Sequence, residues 1–232
     1  MKCQIFLTIL VGNLIVGCNT RTADDYFKSG IEKYELDNDY EGAIEDYNEV
    51  IKVNPKHLKS YINRGASKYN LQDYKGAIED FNKAIEINPL SKIAYFNKAA
   101  AKSGLEDHRG AIEDYSKAIE IDWKYCDIAE LESQVITFVD FRRIISLSDT
   151  SKYKADSYSY RGNDKEKLQD YAGAVEDYTK AIEIEAQYGI YYAYRGLAKI
   201  KLGQKDSGCL DLSKSGELGV IWAYDSIKKY CQ

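Results

Sequence analysis

Along residues 74–89, YKGAIEDFNKAIEINP, apolar side chains return every third or fourth place: Ala77, Ile78, Phe81, Ala84 and Ile85. That spacing lays them on one face of a helix. It predicts a helix from about Lys75 to Ile87, stopped by Pro89, because Asn88 in front of a proline is pushed out of helical geometry. An earlier helix ends near Leu71, and Gln72-Asp73 makes the turn between the two. Gly65 and Ala77, 12 places apart, are small residues on facing helices, which predicts a close approach there. Glu79 and Lys83 stand four apart in the favourable order and predict an exposed ion pair, as do Glu113/Lys117 and Glu176/Lys180.

The phrase comes round three more times: YEGAIEDYNEVIKVNP at 40–55, RGAIEDYSKAIEIDW at 109–123 and YAGAVEDYTKAIEIEA at 171–186. Ala43, Ala77 and Ala111 keep a step of 34 residues, as do Pro55 and Pro89, the chain's two prolines. Ala174 heads the fourth copy, and Gly208, another 34 on, heads a looser fifth. Gly162 precedes Ala174, and Gly196 precedes Gly208, by the same 12 residues. The large ring at Phe81 is Tyr47, Tyr115 or Tyr178 in the other copies. This period and these positions resemble the tetratricopeptide repeat. The resemblance implies an all-α, right-handed helical solenoid in which no unit buries its apolar face alone. Units fall at 23–57, 58–91, 92–125, 155–188 and 189–219, and the first has one extra turn residue, KYELDNDY beside KYNLQDY. Residues 126–154 carry apolar stripes (Ile128, Leu131, Val135; Phe138, Phe141, Ile144, Ile145) without the repeat signature. They read as a degenerate helical pair or as a break between two blocks. Residues 220–232, with Ile221, Ala223, Tyr224, Ile227 and Tyr230 on one stripe, read as a capping helix over the end of the stack.

The beginning of the chain is different. Residues 1–17 carry Lys2 and then an apolar run from Ile5 to Val16, the size of a signal-peptide core and too short to span a bilayer. Ile15-Val16-Gly17-Cys18 resembles a bacterial lipobox, which implies cleavage before Cys18 and a lipid on its thiol; an ordinary secretory signal ending in cysteine is the other reading. Residues 18–22 would then be a tether, and the protein a lipid-anchored member of the bacterial cell envelope. That compartment permits disulfides. Cys209 and Cys231 are placed to approach one another, as a disulfide or as two small buried apolar side chains.

A net charge of −5 leaves no basic footprint for nucleic acid. No metal-ligand, phosphate-loop or nucleophile motif is present, and neither a metal nor another cofactor is expected. His108 stands where sister units have Tyr74 and Tyr171, and reads as a substitute ring. Adjacent pairs such as Glu79-Asp80 read as surface polarity, and Arg64, Arg161 and Arg195 as ion-pair partners for a second-helix acid. The family resemblance implies a groove lined by first helices. Phe27, Ile31, Tyr34, Lys59, Ile62, Asn63, Tyr69, Ile93, Phe96 and Asn97 would line its N-terminal half, as binding anchors or as packing. Unit four offers the more polar Asp156, Ser159, Asn163, Glu166 and Lys167. Asn63 matches an asparagine of the clamp with which chaperone-type repeats hold a C-terminal carboxylate, but Phe27, Ile31, Ile93 and Asn97 fill the other clamp places. The expected function is a non-catalytic scaffold that holds a protein or peptide in the groove. The alternative is capture of a glycan or small ligand, on which some of the 21 tyrosines would stack.

Overall fold

The structure is a computed structural model and describes residues 21–121 and 150–231. Its regular elements there are all helical and come in antiparallel pairs. Unit one pairs α1 (Ala23–Glu32) with α2 (Tyr40–Val53), unit two α3 (Leu58–Asn70) with α4 (Tyr74–Ile87), and unit three α5 (Lys92–Gly104) with α6 (His108–Glu120). Unit four pairs α7 (Thr150–Lys167) with α8 (Tyr171–Ile184), unit five α9 (Gly189–Lys201) with α10 (Lys205–Glu217), and α11 (Trp222–Tyr230) closes the end.

The second helices of units one to four start the same way. Asp39, Asp73, Asp107 and Asp170 accept the backbone N–H of Gly42, Gly76, Gly110 and Gly173 at 2.9–3.0 Å, a side-chain N-cap. A β-carbon on those glycines would collide with the capping carboxylate, 2.1–2.3 Å away. The extra residue of unit one is absorbed as a π-helical turn, Lys33–Asp37, after which Asn38 takes φ 52°.

Within a pair, a large ring rests on a residue without a side chain. A β-carbon on Gly65 would lie 2.7 Å from the Phe81 ring, one on Gly30 2.7 Å from Tyr47, and one on Gly162 3.0 Å from Tyr178. The close approach expected at Gly65 is therefore to the Phe81 ring, one turn beyond Ala77. Between pairs, Ile62 of α3 packs with Ala84 of α4 and with Ile93 and Ala94 of α5, so each interior is shared by two units.

The aspartate of the repeated phrase is not a surface residue. Asp46, Asp80, Asp114, Asp177 and Asp211 are all buried. Adjacency to an exposed glutamate hides this in the sequence, because the cations that hold the carboxylate come from the other helix. Arg64, Arg161 and Arg195 grip Asp80, Asp177 and Asp211 with Nε and Nη2, and Lys98 takes that place at Asp114, 3.0 Å away. A second cation, Lys33, Lys68, Lys102, Lys165 or Lys199, reaches each aspartate at 2.6–2.8 Å. The third arm of each arginine crosses to the previous unit: Arg64 to Asn48 at 2.6 Å, Arg161 to Ser116 at 2.9 Å, Arg195 to Thr179 at 3.3 Å. The lysines of the expected four-apart pairs turn the other way, Lys83 to Glu86, Lys117 to Glu120 and Lys180 to Glu183.

The Arg161–Ser116 bond has a further meaning: α7 packs directly on α6, as α3 packs on α2. The degenerate pair expected at 126–154 lies almost wholly outside the described residues; its last residues, from Thr150, belong to the first turns of α7. The capping stripe needs correction. In α11 only Ala223 is buried, while Ile221, Tyr224 and Tyr230 are exposed. Ile227 of the stripe is half-buried, the Tyr224 ring lies against Gly216, and Cys209 and Cys231 are joined by a disulfide that ties α10 to the residue after α11.

Removing one carboxylate would strand two cations. Asp80→Ala is expected to lower unfolding free energy by about 3–5 kcal/mol in urea denaturation followed by circular dichroism; a loss of a few tenths would show that the rung is only decoration.

Candidate functional site

The face lined by first helices is the surface on which a partner was expected. The structure divides the predicted residues in two. Ile62, Asn63, Ile93, Phe96 and Asn97 are at most 2% exposed and belong to the interior. Ile62 and Ile93 are wedged between units by the shared packing just described. Phe96 is enclosed by Tyr115, Tyr160 and Tyr153 at ring distances of 5.4, 5.6 and 6.3 Å. Phe27, Tyr34, Lys59 and Tyr69 are half-buried. Phe27 meets His57 edge-on at 4.9 Å, and Tyr69 meets Tyr74 at 5.1 Å. The Tyr34 hydroxyl accepts from Asn70 Nδ2 at 3.0 Å, and burial pushes its pKa up to about 12, so it stays neutral. In unit four, Asp156 and Ser159 are buried, and Glu166 is occupied by Lys201 and the Tyr178 hydroxyl at 2.7 and 2.9 Å.

What the sequence reading missed is aromatic and lies further along. Tyr160, Tyr194 and Trp222 are 36%, 38% and 40% exposed. Tyr160 and Tyr194 occupy the place that Asn63 and Asn97 hold in units two and three. Each covers the large ring of the preceding second helix: Tyr160 stacks on Tyr115 at 6.1 Å, and Tyr194 lies 5.7 Å from Tyr178. Trp222 continues the row, 6.2 Å from Tyr194. The signal was available, since the asparagines and the tyrosines share one register. The other tyrosines mostly serve packing: among the described residues only Tyr160, Tyr194, Tyr224 and Tyr230 are exposed.

Ser103, His108 and Asp164 bring the three residue types of a hydrolytic triad together. Both the Ser103 hydroxyl and His108 Nδ1 lie 2.7 Å from the same oxygen, Asp164 Oδ1. The hydroxyl thus donates its hydrogen bond to the carboxylate and not to the histidine, and the cluster is not a nucleophile–base relay. Among the described residues no group of three or more His, Cys, Asp or Glu is arranged to hold a metal ion.

Comparison with known proteins agrees with this geometry. Models of the tetratricopeptide repeat match residues 58–89 and residues 34–57, 93–124 and 161–188, half of the chain together. A human small glutamine-rich tetratricopeptide repeat-containing protein beta is 44% identical over 50 residues, and its counterpart 2 from Mycosarcoma maydis 43% over 71 residues. The aligned parts are 16% and 20% of those proteins, so the chain spans only a small share of their length. Among solved structures, a MamA protein superposes with a TM-score of 0.65 at 22% identity, over 90% of this chain and 94% of that one. YrrB, described as a TPR protein with an unusual peptide-binding site, gives 0.63 at 13% identity over 89% and 92%. Pseudomonas aeruginosa pilF gives 0.65 at 12% identity over 85% and 76%. At these identities the likeness is one of fold.

The division between interior and surface rings is testable by stability. Phe96→Ala is expected to cost about 3–5 kcal/mol and Tyr194→Ser about 1 kcal/mol or less in equilibrium urea unfolding. Equal costs would mean that the two rings are not differently placed.

Proposed function

Because the chain belongs to the tetratricopeptide-repeat family, we propose that it is a binding scaffold without a reaction of its own, which holds a protein or peptide on its first-helix face. The observation that carries this reading is the row Tyr160, Tyr194 and Trp222, aromatic side chains left part-exposed where most of the described tyrosines are buried or half-buried. Such anchors supply much of the energy of protein interfaces. Each lies against another ring, so little side-chain freedom remains to be lost on binding.

The proposal includes an anchor. Cys18 carries the lipid and holds the scaffold on a membrane of the bacterial cell envelope. Cys18 lies outside the described residues, but Thr22, four places on, already caps α1. The stack therefore begins within a few residues of the membrane. A net charge of −5 disfavours direct contact with anionic headgroups, leaving the lipid as the attachment.

Cross-linking in native membranes followed by recovery of the chain tests the groove. Tyr194→Ser combined with Trp222→Ser, with an unchanged melting curve, should reduce the recovered partner on the order of tenfold or more; undiminished recovery of the same partner would refute this contact surface. For the anchor, mass spectrometry of the mature N-terminus should find Cys18 first and acylated, and an unmodified Cys18 would refute it.

A further inference from the structure

One junction of the stack departs from the others at two places at once. In units two, three and five the first helix carries Ser67, Ala101 and Ala198 at one register position, all buried. Unit four carries Asp164 there, 1% exposed. The second helix opens on Tyr40, Tyr74 and Tyr171 in units one, two and four, and on His108 in unit three. Between units two and three these places meet as a ring on a methyl group, with Tyr74 packed in the cluster that holds Ala101. Between units three and four they meet as His108 on Asp164, joined by Ser103.

We propose that the junction between units three and four is a proton-linked latch, which closes the stack when Asp164 holds a proton and loosens it when Asp164 is ionised.

Closing this interface takes the Asp164 carboxyl out of water. Burial pushes it above the usual carboxylate range, against the opposing pull of the Ser103 and His108 hydrogen bonds and of the nearby charge of Lys167. The groups that face it are Ser103 on α5, His108 and Tyr115 on α6, and Lys167 on its own helix. The other nearby cation, Lys165, is committed to Asp177 at 2.8 Å. Opening returns the carboxyl to water and to its ordinary pKa. A group that binds its proton more tightly in the closed form favours closure at low pH. That support is complete below the open-state pKa and is lost as pH rises through the closed-state one. Among the described residues the junction is also fastened by the Arg161–Ser116 bond and by the packing of Tyr153 on Phe96 and of Tyr160 on Phe96 and Tyr115.

Four residues separate Val53 from Leu58, Ile87 from Lys92 and Ile184 from Gly189, whereas 29 separate Glu120 from Thr150. The first-helix face crosses the same junction, where Tyr160 meets Phe96.

Hydrogen exchange of the full chain, read by mass spectrometry, tests the latch. Protection of α6 and α7 is divided by that of α4 and α5, after correction for intrinsic rates, from about pH 4 to about pH 7. The ratio should fall as pH rises, by about tenfold for each unit by which closure raises the carboxyl's pKa. Asp164→Asn should make the ratio flat, as should His108→Tyr with Asp164→Ala, which restores the residues of the sister units. A flat ratio in the parent chain, or a slope that survives Asp164→Asn, overturns the proposal. If the double variant fails to fold, Asp164→Asn alone decides.

Discussion

The fold depends on the seat of a large side chain from each second helix against a first-helix residue that has almost no side chain. Phe81 on Gly65, Tyr47 on Gly30 and Tyr178 on Gly162 bring paired helices nearer than ordinary side chains would allow. Unit three uses Ala99 in the glycine's place, and its ring, Tyr115, is clustered with Phe96. Unit five has no ring there: Gly196 meets the backbone of Gly208 directly, with Leu212 beside it. Each solution fills one gap with a different partition of volume, as close packing requires.

The buried aspartates turn this pairwise packing into a stack. Arg64, Arg161 and Arg195 each bind the second helix of their own unit and the second helix of the unit before. A buried carboxylate is expensive unless its charge is fully met, so it tolerates only the register that brings both cations to it. Fixing that register orders the first-helix face, on which Tyr160 and Tyr194 stand, with Trp222 of α11 beside Tyr194. The first-helix face and the core are thus products of one repeat, differing in which side of the first helix a residue takes.

Much of the fold was legible because apolar size and spacing are local. Gly65, Phe81, Pro89 and the extra residue before Asp39 could each be read from a few neighbours. The pairing of Arg64 with a second-helix acid could be read too, but the burial of Asp80 could not, because a charged side chain beside an exposed glutamate shows its covered side only once the helices are stacked. The groove was less legible for a related reason. Ile62 and Phe96 stand on first helices at the expected register, yet the neighbouring unit covers them. Tyr160 and Tyr194 fall in the register of two buried asparagines, and only the substitution of a longer side chain brings that place to the surface.

The ring-on-glycine seat is tested most directly by the equilibrium stability of Gly65→Ala. Helix propensity alone predicts a gain of about 1 kcal/mol, since alanine is the better helix former. The seat predicts the opposite sign, a loss of about 1–3 kcal/mol from forcing a methyl group into the Phe81 ring, partly recovered by adding Phe81→Leu. A Gly65→Ala chain as stable as its parent, or more stable, would contradict the account.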